Sequence, residues 1–133
     1  MEPLKVVAHY TNGKVMKGFT QDFFPNKDHF HIFPATIRTD KGIEVLIKNL
    51  KAVFFVRDFI GDPQYNEQKT FLEGIVVHGR KVEVTCKDEE LLVGSTLGND
   101  PSRKGFFLFP ADPNSNNMRI FIVSSAVKNF RYL

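Results

Sequence analysis

This sequence contains no tryptophan and only one cysteine, Cys86. A single cysteine excludes an intrachain disulfide and is typical of proteins from a reducing compartment. The longest apolar run, from Ala52 to Val56, is far too short to cross a bilayer. The first residues, MEPLKVV, lack the basic and apolar regions of a signal peptide. These absences predict a cytoplasmic protein that does not associate with a membrane.

The sequence also has little excess of one sign of charge, since the formal net charge is only +3. Residues 1–57 hold nine Lys or Arg against five Asp or Glu (+4), and residues 58–80 hold two against four (−2). Residues 81–133 hold seven against six (+1). A protein whose affinity comes from phosphate contacts needs a denser basic surface than this. The charge therefore favours an ordinary solvated surface over a nucleic-acid interface.

Phenylalanine, in contrast, is abundant, with 14 residues. Because its ring has no polar group, this residue is better suited to packing than to recognition. Apolar residues make up 42% of the chain, which is enough to form a core. Helical periodicity is nearly absent, and short β-branched and aromatic segments recur between turn residues. This pattern predicts an all-β fold.

The sequence repeats itself at a spacing of 76 residues. FHIFPA at 30–35 recurs as FFLFPA at 106–111, and residues 5–35 align with 81–111 without a gap. After the following loop the spacing becomes 77, so that Ile43 aligns with Ile120 and Phe55 with Tyr132. Nine of the 31 pairs in the ungapped part are identical: Lys5/Lys81, Val6/Val82, Gly18/Gly94, Thr20/Thr96, Pro25/Pro101, Phe30/Phe106, Phe33/Phe109, Pro34/Pro110 and Ala35/Ala111. The register predicts an internal duplication.

Each copy is predicted to contain five short strands. Gly18 and Gly94 lie within the second strand of their copies, where a glycine usually marks a bulge or bend. Pro34 and Pro110 are expected to end the third strand, since proline cannot donate to a ladder. Between strands four and five, IKNLK predicts a single 3₁₀ turn. The predicted domains are 1–57, the first repeat, 58–80, an acidic connector with an extra strand over 74–80, and 81–133, the second repeat.

Five short strands, a bent second strand and a tight turn before the fifth strand resemble the SH3-like and Sm-like small barrels. The resemblance covers both halves and implies two tandem five-stranded barrels that pack into one unit. The whole sequence also resembles a small uncharacterised bacterial family. No Sm motif is matched, and the R-x-x-x-R signature of the cyclic-dinucleotide-binding PilZ barrel is absent.

The loop before the third strand is the main asymmetry between the copies. Phe23 and Phe24 align with Asn99 and Asp100, so the first copy has two extra aromatic residues. These rings either fill the seam between the copies or form an exposed binding patch. Lys27, His29 and His31 follow and complete the predicted binding site. No catalytic residue, metal site or cofactor is predicted.

These observations predict a non-catalytic binding or scaffolding module with a protein partner, such as a regulatory accessory protein of a bacterium. One alternative is a nucleic-acid-binding small barrel in which Phe23 and Phe24 stack on bases. Its basic residues would be Lys5, Lys14, Lys17, Lys27 and Lys51. A further alternative is a PilZ-like responder to a cyclic dinucleotide that lacks the usual motif. A homodimer is a further expectation.

Overall fold

The structure is a computed structural model that describes residues 3–34, 42–60, 64, 65, 67, 69–71, 77, 79–100 and 102–133. Within these residues the chain forms β-strands and two 3₁₀ turns and no α-helix, which confirms the all-β class. No helix in this part of the chain could therefore cross a bilayer.

The two halves contain the same series of elements. The strands of the first half are β1 (Leu4–Tyr10), β2 (Val15–Thr20), β3 (His29–Ile32), β4 (Ile43–Leu46) and β5 (Leu50–Val56). Those of the second half are β6 (Arg80–Cys86), β7 (Leu91–Thr96), β8 (Gly105–Pro110), β9 (Asn117–Val123) and β10 (Val127–Tyr132). The 3₁₀ turns, Ile47–Asn49 and Ser124–Ala126, separate the fourth and fifth strands of each half, as IKNLK predicts. The extra strand predicted over 74–80 lies largely outside the described residues, and β6 begins only at Arg80.

All strand pairs are antiparallel, and eight strands form one sheet in the order β10-β6-β7-β8-β9-β5-β1-β2. Strands β3 and β4 form a separate pair, which is joined to β2 by a bridge between Phe19 and Phe33. Each half thus has its strands in the order five, one, two, three, four. The halves meet where β5 pairs with β9.

The two closed barrels that the resemblance implies are not confirmed, because the sheet is open and continues from one half into the other. The physical reason lies in β5, which is buried at every position. A strand that is buried on both faces lies between two cores, and a neighbouring strand covers its edge. Strand β9 of the other half supplies that neighbour.

The β5–β9 pair separates two hydrophobic cores. Ala52 and Phe54 of β5 face one core, and Val53 and Phe55 face the other, since alternate residues of a strand point to opposite faces. On β9, Ile120 and Ile122 join the first core, whereas Phe121 and Val123 join the second. Each core therefore contains side chains from both halves.

Gly18 and Gly94 lie where the second and third strands of each half approach closely. A Cβ atom at Gly18 would lie 2.5 Å from the carbonyl oxygen of Phe33, and one at Gly94 would lie 2.1 Å from that of Phe109. Only a residue without a side chain fits at either position. Strand β3 ends two residues before Pro34, and β8 ends at Pro110.

Candidate functional site

Phe23 lies at the seam between the two halves. Its ring makes edge contacts with Phe30 and Phe55 of the first half, at centroid distances of 5.0 and 5.3 Å. It also contacts Phe107 and Phe121 of the second half, at 6.2 and 5.2 Å. Such edge-to-face contacts stabilise aromatic clusters beyond the area that they bury. Of the two roles that the sequence left open for Phe23, this position corresponds to filling the seam.

Phe24, the next residue, has a different environment. Its side chain is 42% exposed, and the ammonium of Lys27 lies 4.7 Å from the ring centroid. This is the geometry of a cation–π contact at an exposed site. The surface of the β2–β3 loop therefore presents one aromatic ring and one cation.

His29 and His31 share one face of β3, with their ring centroids 5.7 Å apart. Nδ1 of His31 lies 2.7 Å from Oδ2 of Asp22, and the backbone N–H of His31 donates to Oδ1 of the same carboxylate at 2.9 Å. Burial raises the pKa of Asp22, but these hydrogen bonds outweigh it and the net shift is downward. Among the described residues, no three His, Cys, Asp or Glu side chains are grouped to hold a metal ion.

Two arrangements that could suggest catalysis do not have the required geometry. Thr20 donates its hydroxyl to Asp22 at 3.2 Å, so the carboxylate lies between the hydroxyl and His31. A nucleophile needs the base, rather than the carboxylate, beside its hydroxyl. Cys86 is buried, and burial raises the pKa of its thiol to about 11. That thiol is therefore protonated and unreactive at neutral pH.

The basic residues of the nucleic-acid alternative do not form one surface group. Lys51 is buried, and its ammonium lies 2.7 Å from Asp88 and also contacts Glu90. Burial lowers the pKa of Lys51, but the bonds to the two carboxylates raise it further than burial lowers it. The other four members of the set are exposed: Lys5, Lys14, Lys17 and Lys27.

A surface groove lies between the β2–β3 and β7–β8 loops. Two adjacent depressions, of about 940 and 900 Å³, share four lining residues: Asn99, Arg103, Lys104 and Phe106. We call the two together the interloop groove. The first depression is also lined by residues from both 3₁₀ turns and the strands beside them: Leu46, Ile47, Lys48, Val123, Ser124, Ser125 and Val127. The groove therefore combines an apolar floor with surface loops of both halves.

The charge of the first depression is positive. Lys48, Arg103 and Lys104 oppose the single carboxylate of Asp28, which leaves a formal charge of three minus one, or +2. Lys104 binds Asp28 at 2.5 Å, and Arg103 lies 3.8 Å from Asp100. Within the part of the chain that the structure describes, Lys48 has no carboxylate at ion-pair distance.

Asn99, on the wall common to both depressions, has a buried polar atom without a partner. Its Oδ1 is inaccessible to solvent and accepts no hydrogen bond from any described residue. Buried polar atoms are almost always paired, because an unpaired one costs free energy. Because this atom is closed to solvent, a molecule in the groove can pair with it only if the Asn99 side chain turns.

The sequence repeat aligns Asn99 with Phe23. The predicted binding site was placed at Phe23, in the first half, and did not include Asn99. In the structure Phe23 fills the seam in the first half, whereas the shorter, polar Asn99 lines the groove in the second. An amide where the other half has a packed ring marks a position at which the two halves differ, although it does not by itself predict a groove.

No curated protein and no solved structure shows significant similarity to the chain. The predicted membership of an uncharacterised family is confirmed by a match that covers nearly the whole sequence. Over residues 2–133 the chain matches the model of a family of unknown function (DUF6982), and the protein belongs to that family.

Proposed function

We propose that this protein is a non-catalytic binding module, formed by duplication of one five-stranded unit, that holds an extended segment of a partner protein in the interloop groove. The observation that supports this most strongly is the composition of the groove, where an apolar wall lies beside a formal charge of +2 in the first depression. An extended peptide carries both N–H donors and C=O acceptors along its backbone, so it can also pair with the Asn99 amide when that side chain turns toward the groove.

The remaining chemistry of the groove favours acidic and apolar side chains in the bound segment. Leu46, Phe106 and Val127 supply apolar wall, and apolar pockets with a few polar groups are typical of binding sites. Lys48 and Arg103 supply positive charge at the rim, where charge complementarity mainly sets specificity and association rate. The ligand class is therefore an extended peptide that contains both acidic and large apolar residues.

A protein partner is favoured over a nucleic acid by the placement of the residues that the alternative requires. A formal charge of +2 in the first depression is small for a site whose affinity comes from phosphates. The charge of Lys51 is neutralised by Asp88 and Glu90, and the ring of Phe23 is packed against other rings. Phe24 remains the one member of the predicted stacking pair with a substantially exposed ring.

The test uses fluorescent short peptides that alternate Glu with Leu or Phe, and a matched set with Lys in place of Glu. Fluorescence anisotropy should show binding of the Glu set and little binding of the Lys set. In the Lys48→Glu/Arg103→Glu variant, affinity for the Glu set should fall by roughly tenfold or more, about 1.4 kcal/mol.

The matched control is Lys14→Glu/Lys87→Glu, which changes the charge equally at exposed positions outside the groove. Its affinity should equal that of the parent. Equal losses in both double variants, or no binding of the Glu set, would contradict the proposal. Salt-sensitive binding of a mixed single-stranded oligonucleotide pool, without binding of peptides, would favour the nucleic-acid alternative.

A further inference from the structure

Two strands at the ends of the hydrogen-bonding order have one free edge each. Strand β10 pairs only with β6, and β4 pairs only with β3, among the residues that the structure describes. An unpaired edge presents a row of N–H and C=O groups that can accept a further strand.

The repeat identifies which strand fits each edge. A shift of 77 residues places β4 on β9 and β10 on β5, and within the chain β5 and β9 pair antiparallel. Two equivalent backbone hydrogen bonds agree with this alignment of the halves. The N–H of Ser124 donates to the carbonyl of Lys104, and the N–H of Ile47, the equivalent residue, donates to the carbonyl of Asp28, both at 2.9 Å. The free edges β4 and β10 are therefore the counterparts of two strands that already form a pair.

Side-chain exposure differs sharply between the paired strands and their counterparts. Ile120 of β9 is 2% exposed, and its equivalent on β4, Ile43, is 50% exposed. Phe55 of β5 is 1% exposed, and its equivalent on β10, Tyr132, is 42% exposed. Large apolar residues at an open edge are unusual in a protein that functions as a single chain.

The backbone groups that point away from each neighbouring strand can be identified. Leu133 donates its N–H to Lys81 at 2.9 Å, and amides alternate in direction along a strand, so those of Phe130 and Tyr132 point outward. Just after β4, the N–H of Ile47 donates to the carbonyl of Asp28, the residue before β3. By the same alternation, the N–H of Glu44 points outward. The residues equivalent to Phe130 and Glu44 are Val53 and Phe121, which oppose each other in the β5–β9 pair.

We propose that β10 of one chain pairs antiparallel with β4 of a second copy, in the register of the internal β5–β9 pair. Carrying that register over by 77 residues gives the following opposed residues: Asn129 with Val45, Phe130 with Glu44, and Arg131 with Ile43. Lys128 and Arg131 of β10 already form ion pairs with Glu89 and Glu83, so the backbone edges and the exposed apolar residues, rather than charge, support this pairing. The contact is head-to-tail, so an open assembly always has one free β4 edge and one free β10 edge. Such an assembly either closes into a ring or continues as a filament.

The first test is mass measured by light scattering after size exclusion, between about 1 μM and 1 mM chain, the range in which weak and strong interfaces dissociate. The parent should exceed the 15.2 kDa of one chain, with a mass that rises with concentration. Glu44→Pro removes an outward N–H that β3 does not use, and it should reduce the mass to that of one chain. Glu44→Gln, which keeps the N–H, should still assemble. A parent that stays at 15.2 kDa throughout would overturn the proposal.

A second test does not depend on whether the proline variant folds. Ile43→Cys and Arg131→Cys place thiols at a pair without mutual hydrogen bonds, where opposed Cβ atoms lie close enough for a disulfide. The native Cys86 is buried and does not compete. Mild oxidation of a mixture of the two variants should yield linked pairs of chains, and each variant alone should yield none. Linked pairs from either variant alone, or none from the mixture, would overturn the head-to-tail register.

Discussion

Asp28 and Lys104 occupy equivalent positions of the two halves, and their side chains form an ion pair with 2.5 Å between Oδ1 and Nζ. The hydrogen bond from Lys104 lowers the pKa of Asp28. Equivalent loops of the two copies thus meet at the interloop groove. Two identical charges would repel at this point, so the opposite charges allow equivalent loops to lie side by side.

The two neighbouring phenylalanines of the β2–β3 loop should differ in their effect on stability. Phe23→Ala removes a half-buried ring from the seam and should lower the free energy of unfolding by about 2–3 kcal/mol, less than a fully buried ring would. Phe24→Ala removes an exposed ring and should change it by less than about 0.5 kcal/mol. Urea unfolding followed by circular dichroism measures both values. Equal values would show that Phe23 does not hold the seam.

Replacement of Asn99 should separate stability from binding. Asn99→Leu removes a buried polar atom without a partner, so the free energy of unfolding should stay the same or rise by up to about 1 kcal/mol. Affinity for the Glu-containing peptides should fall by roughly tenfold. Asn99→Gln keeps an amide and should retain part of the affinity. A Leu variant that binds like the parent would disprove the role of this amide.

Gly94 should not tolerate even the smallest side chain. In Gly94→Ala the Cβ atom would lie 2.1 Å from the carbonyl oxygen of Phe109, so the second and third strands must separate. We expect a loss of about 1–3 kcal/mol in the free energy of unfolding, measured with guanidinium. Gly98→Ala is the control, because a Cβ atom at Gly98 would meet no atom within 4 Å and the φ of this residue is not in the left-handed region. Overlapping unfolding curves for both variants would contradict the steric argument.

His9 should make stability depend on pH. Its ring lies 4.5 Å from that of Phe54, and burial, with a smaller effect of Lys51, lowers its pKa below the ordinary 6.5. The unfolded chain therefore binds the proton more readily than the folded one does. Stability should be highest above 6.5 and should fall as the pH is lowered from 6.5 through the folded pKa.

The measurement is the free energy of unfolding at about pH 7.5 and about pH 5.5, on either side of the unfolded pKa. His9→Gln should reduce the difference between the two values, and His29→Gln, at an exposed position, should leave it unchanged. A His9→Gln variant with the full pH dependence of the parent would exclude His9 as its source.

Features that depend on neighbouring residues could be predicted from the sequence. Asn12-Gly13 is a dipeptide typical of hairpin turns, and Gly13, between β1 and β2, has a φ of +92°. The 3₁₀ turn of 47–49 could likewise be predicted, from the short segment IKNLK between two strands. In contrast, β5 and β9 are both apolar enough to indicate central strands, but their pairing depends on residues far apart in the sequence. The composition of the two strands does not determine which edge of each strand pairs with the other.

The candidate site was predicted only in part for a similar reason. Phe23 and Phe24 are adjacent in a loop, where no periodicity indicates which ring points inward. The groove depends on a contact between two loops, and the repeat alignment shows that Asn99 replaces Phe23 without showing that a depression results. Long-range packing determines these features, and one sequence alone does not reveal it.

The most direct test of the proposed function is a titration of the ¹⁵N-labelled protein with the Glu-containing peptides, followed by two-dimensional ¹H–¹⁵N NMR. The side-chain amide signals of Asn99 should move, together with the backbone signals of Arg103, Lys104 and Phe106, because these residues line both depressions of the groove. Signals that move only around Phe24 and Lys27, or only along β4 and β10, would contradict binding in the interloop groove.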